Sequence, residues 1–107
     1  MQFSLIVRTR PEDSHRLAVL REFVAAAIEQ GHTVRQCFFQ GAGVITATDT
    51  ENLSTWQRVA NETGAELLLC SQAVEEHKVE TLEPFAIGGL GALVEAAVRS
   101  DRVVSFV

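Results

Sequence analysis

The residues able to do covalent or metal chemistry in this sequence are two thiols, Cys37 and Cys70, and three imidazoles, His15, His32 and His77. Their spacing excludes most uses. No pair of histidines has HxH or HxxxH spacing, and the two cysteines fit no CxxC arrangement, so neither a metal site nor a disulfide scaffold is expected. Glycines offer no cofactor loop. Gly41-Ala42-Gly43 lacks a third glycine, and Gly88-Gly89-Leu90-Gly91 has no Lys-Ser/Thr after it, so close backbone packing accounts for both better than phosphate binding does. No cofactor is expected. A hydroxyl nucleophile lacks its GxSxG elbow, and Ser71 has no base in view. What remains is thiol chemistry.

The two thiols differ in setting. Cys37 stands beside Phe38 and Phe39 and reads as a small apolar core residue. Cys70 ends the run Leu67-Leu68-Leu69 and is followed by polar sequence. A thiol there either completes a buried strand or is presented at its end as a nucleophile. Glu75 and Glu76 disfavour a thiolate, whereas His77, Lys78 and the start of a helix at Ser71 to Ala73 favour one.

Several elements must position Cys70. Phe3 to Val7 predicts a buried strand. Leu17, Leu20, Val24, Ala27 and Ile28 recur at helical spacing, with Asp13 or Ser14 as the cap and Gly31 as a left-handed stop. A second strand fits Thr33 to Phe39, broken by Gly41-Ala42-Gly43. A helix over Glu51 to Thr63 carries Leu53, Trp56, Ala60 and Thr63 on one face, with Asp49 or Thr50 at its start and Gly64 at its end. Ala65 to Cys70 predicts a third strand. Ser71 to Glu83 reads as a short helix or loop before Pro84. A helix through Leu93, Val94, Ala97 and Val98 and a strand over Val103 to Phe106 complete the chain. Strands alternating with helices imply right-handed crossovers and a mainly parallel sheet, an α/β fold over residues 1–107 as one domain. Ligands of such sheets collect beyond the carboxyl ends of the strands, here Thr9 to Ser14, Gln40 to Gly43, and Cys70 with its successors.

Composition narrows the partners. The chain has 107 residues, 47% of them hydrophobic, and a formal charge of −5. That length buries a core without disulfide staples. An acidic surface argues against direct nucleic-acid binding. The apolar start, Met1 to Val7, is too short to span a membrane and has no signal-peptide pattern, so a cytoplasmic location with no membrane partner is expected. The helix from Leu90 to Val98 is apolar around most of its circumference, with only Glu95 charged before Arg99, and reads as a surface shared with another subunit.

Four segments resemble the DsrE/TusD family of small sulfur-relay proteins. These are Met1 to Val7; Gly31-His32-Thr33-Val34 through Phe38-Phe39; Leu67-Leu68-Leu69-Cys70 with Ser71 to Val74; and the tail Gly88-Gly89-Leu90-Gly91-Ala92-Leu93-Val94-Glu95-Ala96 with Ser100 to Phe106. Together they span nearly the whole chain, and the tail is the most specific. The resemblance implies a flavodoxin-like three-layer α/β fold and an oligomer of identical or related subunits. It also implies cytoplasmic sulfur trafficking, for tRNA 2-thiouridine synthesis or for sulfur oxidation. The family's sulfur-accepting cysteine corresponds to Cys70, which would pass persulfide sulfur between donor and acceptor proteins without metal or cofactor. The rival expectation is a non-catalytic structural subunit of such an assembly, with Cys70 inert.

Overall fold

The computed structural model describes the backbone of residues 1–107 and all side chains except those of Glu51 and Asn52. Five strands and four α-helices alternate: β1 Gln2–Val7, α1 Ser14–Glu29, β2 Thr33–Phe39, α2 Thr50–Thr63, β3 Glu66–Cys70, α3 Ser71–His77, β4 Phe85–Gly88, α4 Leu90–Arg99 and β5 Arg102–Phe106. All neighbouring strands are parallel, in the order β4-β3-β2-β1-β5. The chain therefore steps outward from β1 to β4 and then crosses back to β5 on the other side of β1.

That order decides the layers. Right-handed crossovers moving one way put α1, α2 and α3 on one face, and the reversed crossover puts α4 on the other. Strand alternation agrees. Leu5, Val7, Cys37, Phe39, Leu67 and Leu69 join Leu17, Leu20, Val24 and Trp56 in the main core. On the opposite face, Ser4 Oγ lies 2.6 Å from Ser100 Oγ and donates to the Ala96 carbonyl at 3.5 Å, tying β1 to α4. The fold is thus the expected three-layer α/β arrangement.

Local chemistry explains the boundaries. Asp13 caps α1, its carboxylate accepting from the Arg16 amide at 3.2 Å. Gly31 and Gly64 follow α1 and α2 with φ of +81° and +70°, a region that costs glycine little. Two elements differ from the sequence reading. The Gly41–Thr48 segment is a 3₁₀ helix rather than a simple break, and the stretch after Pro84 forms β4. The 3₁₀ helix exists because Gly43 lets it rest on the end of β1: a Cβ there would lie 2.3 Å from the Val7 carbonyl oxygen. β4 escapes sequence patterning because it has four residues, and Ala86 and Ile87 are exposed on the sheet edge.

Phe3 pairs with Val34 and Ser4 with Gln36, so Arg35 is an extra residue in β2. This bulge resets the alternation, turning Gln36 onto the α4 face in line with Ser4. No helix is long and apolar enough to cross a membrane among the described residues.

Candidate functional site

Parallel strands bring the carboxyl ends of β1, β2 and β3 to one edge, and with them the three segments singled out by sequence. Along this edge run Val7-Arg8, Phe39-Gln40, Cys70-Ser71 and Gly88-Gly89. Cys70 is a free, half-buried thiol at the last position of β3. Its backbone (φ −59°, ψ 121°) is the junction at which strand becomes α3. Ala73, one turn on, is buried and packs into the core, and α3 lies against the 3₁₀ helix. These contacts hold the base of Cys70 while its side chain stays partly open. α3 ends at Lys78, a left-handed residue (φ +53°), and returns toward the sheet through buried Val79.

Cys70 pairs in register with Gly88, and Gly89 is the N-cap of α4. Gly88 makes room for Leu68: a Cβ there would lie 2.9 Å from Leu68 Cδ1. The first turn of α4 has no acidic residue and no side-chain cap. The helix start opens one residue beyond the strand partner of Cys70, and helix starts favour anions. Sequence reading missed this neighbour because it missed β4; the signal available was Phe85-Ala86-Ile87 before the glycine pair.

Charge along the edge is asymmetric. At the β1 end stand Arg8, Arg10 and Arg16; Arg16 pairs with Asp13 at 3.3 Å, Arg10 with Glu12 at 3.7 Å, and the Arg8 guanidinium lies over Gly41. On α3, which leaves Cys70, Glu75 and Glu76 are exposed together with His77, and Lys78 follows. The helix leaving Cys70 thus carries acidic side chains, while the β1 end of the edge carries arginines, two of them paired with acids.

Cys37 is not brought to this site. It lies wholly buried in β2, and burial pushes its thiol up from 9.0 to about 12. Buried in a strand facing α1 and α2, it serves as packing. The sign of its linkage follows: between pH 9 and 12 the unfolded chain loses this proton and the folded chain keeps it, so stability falls with rising pH. Wild type is expected to lose about 1.4 kcal/mol per pH unit from this group in that window. A Cys37→Ala variant lacks that slope in chemical denaturation at pH 9 to 11. The contrast is clean because the chain has no tyrosine and Lys78 is its one lysine.

The imidazoles are dispersed. His15 is exposed in the first turn of α1, and His77 ends α3. His32 follows Gly31 at the amino edge of the sheet, its ring edge-on to Phe3 at 5.5 Å. Among the described residues, no group of three His, Cys, Asp or Glu side chains is arranged to hold a metal ion.

Comparison with known proteins adds the decisive observation: the model of the DsrE/DsrF-like family matches residues 1–106. The chain belongs to the DsrE/DsrF-like family. It is 29% identical to the Cronobacter sakazakii protein named sulfurtransferase TusD, over 128 aligned positions covering 99% of this chain and 100% of that one. It is 27% identical to the Allochromatium vinosum protein named putative sulfurtransferase DsrE, covering 99% and 98%. An alignment of 128 positions opens gaps in this DsrE/DsrF-like chain, so these relatives carry residues it lacks. The Escherichia coli ychN crystal structure superposes with a TM-score of 0.78 at 20% identity, covering 99% of this chain and all of that one, which matches the fold.

Proposed function

We propose that this protein is a sulfur-relay subunit in which Cys70 accepts and passes on sulfane sulfur. The observation that carries the reading is the half-open thiol at the carboxyl end of β3, flanked by glycines, in a chain whose relatives are named sulfurtransferases. The Cys70 thiolate attacks the outer sulfur of a donor persulfide; the new S–S bond forms as the donor S–S bond breaks. The donor leaves as a thiolate and takes up the proton. A thiol of the acceptor protein then attacks the outer sulfur on Cys70, restoring its thiolate. Sulfur moves at a constant oxidation level, as in thiol–disulfide exchange, so neither step needs an external oxidant. The amides at the start of α4 solvate the anionic sulfur. Donor and acceptor proteins dock on the asymmetric edge, the cell compartment is the cytoplasm, and the route leads to tRNA 2-thiouridine or to sulfur oxidation. Residues 1–107 act as one domain.

Exposed Leu90, Val94 and Val98 form an apolar stripe on the outer side of α4, Val98 being 80% exposed. In this reading another subunit, identical or related, covers the stripe.

The test is incubation with a persulfide donor, digestion under acid and mass spectrometry. One added sulfur on the peptide carrying Cys70 is the expected result; sulfur on neither cysteine, or on Cys37 alone, overturns the reading. A second reading, a structural subunit with inert Cys70, is favoured by Glu75 and Glu76 on the helix that follows the thiol. It predicts that Cys70 of the native protein resists alkylation near neutral pH.

A further inference from the structure

α4 is the one helix on its face of the sheet, lying alongside the amino-terminal halves of β2 and β3. A groove of about 430 Å³ results, lined by Gln36, Glu66, Leu68, Ala92, Ala96 and Arg99 among others. Gln36 is 4% exposed, and its Oε1 is buried with no hydrogen-bond partner among the described residues. Buried polar groups are almost always paired, so an unmet amide oxygen in the wall of a groove marks a missing partner.

The character of that partner follows from what is already satisfied. The Arg99 guanidinium pairs with Glu95 at 3.1 Å, and Arg35 donates to Gln2 Oε1 at 2.7 Å. Unmet on this surface are two acceptors: Gln36 Oε1 and the exposed carboxylate of Glu66, which forms no ion pair among the described residues. They are in register on adjacent strands. The terminal torsion of a glutamine is soft, so its oxygen can turn to the groove. Leu68, Ala92 and Ala96 supply an apolar wall along which an alkyl stem can lie.

We propose that this groove binds an alkyl cation rich in N–H donors, a guanidinium or primary ammonium on an aliphatic stem. Its head bridges Gln36 and Glu66, and its stem packs on Leu68, Ala92 and Ala96. The site is separate from the sulfur chemistry: Cys70 lies four residues further along β3 than Glu66, about 13 Å away. Such a cation is either a free base or an arginine or lysine side chain of a partner protein.

Titration at low ionic strength, followed by NMR of the backbone amides, distinguishes these sources. Agmatine probes the free base, and a terminally blocked Gly-Arg-Gly peptide probes the protein-borne side chain. Saturable shifts at Gln36, Glu66 and Ala96 are expected with at least one probe, the tighter one naming the source. Gln36→Leu is expected to weaken binding about tenfold. Glu66→Gln, an exposed change that leaves the fold intact, weakens it about fivefold. Tetramethylammonium, a cation with no N–H, is expected not to bind there. Absence of saturation by both probes overturns the proposal, as does equal binding of tetramethylammonium or binding indifferent to both substitutions.

Discussion

Cys70→Ser is expected to abolish sulfur uptake, with no added sulfur in the intact mass after exposure to a persulfide donor, while Cys37→Ala loads as wild type does. The argument rests on the two environments. With its thiol pushed up to about 12, Cys37 holds about one thiolate per 10⁵ molecules at neutral pH, and it is fully buried as well. It cannot substitute for the lost nucleophile. Serine keeps the size of Cys70 at a half-buried position, so the variant is expected to fold within about 1 kcal/mol of wild type. Loss of uptake in a folded Cys70→Ser protein is therefore a chemical loss. Undiminished loading of that variant would sink the assignment of Cys70.

Trp56→Ala is expected to cost the most stability, about 3–5 kcal/mol. Trp56 is fully buried on α2 and meets Phe39 edge-on at 5.2 Å and Phe85 at 6.4 Å. Phe39 in turn meets Phe85 at 5.3 Å, so the three rings join α2, β2 and β4. Alanine opens a cavity among all three, and a domain of this size has about 5–15 kcal/mol in total. The indole Nε1 is buried with no hydrogen-bond partner among the described residues, which already works against the native state. Trp56→Phe, which removes that donor and keeps a ring, is expected to lose far less than the alanine variant. Urea denaturation followed by circular dichroism measures both, since Trp56 is the one tryptophan and fluorescence vanishes with it. Equal losses in the two variants would show that ring packing is not what Trp56 contributes.

Elements with a strong period were legible in the sequence. The three- and four-residue spacing from Leu17 to Ile28 and the buried runs ending at Val7, Phe39 and Cys70 each bury enough apolar surface to declare their type locally. The glycine stops at Gly31 and Gly64 were legible for a different reason, since a left-handed residue after a helix is disfavoured for other side chains. The 3₁₀ helix was not, because Gly41–Thr48 is small and apolar on all sides and displays no helical stripe. β4 was not, because an edge strand of four residues takes its definition from the strand it pairs with.

By itself the sequence determined that one of two cysteines ends a buried strand in an alternating α/β chain, and that its tail has the family's pattern. Local periodicity carries such information. Only the tertiary structure decided which glycines stand beside Cys70, because β3 and β4 meet through backbone hydrogen bonds that any sequence can make. It also decided that Gln36 faces α4 rather than the core. Simple alternation from Val34 puts Gln36 on the core face, and the single extra residue at Arg35 reverses it. A bulge of that kind is set by the register of two strands separated in the chain by the whole of α1, so no local pattern records it.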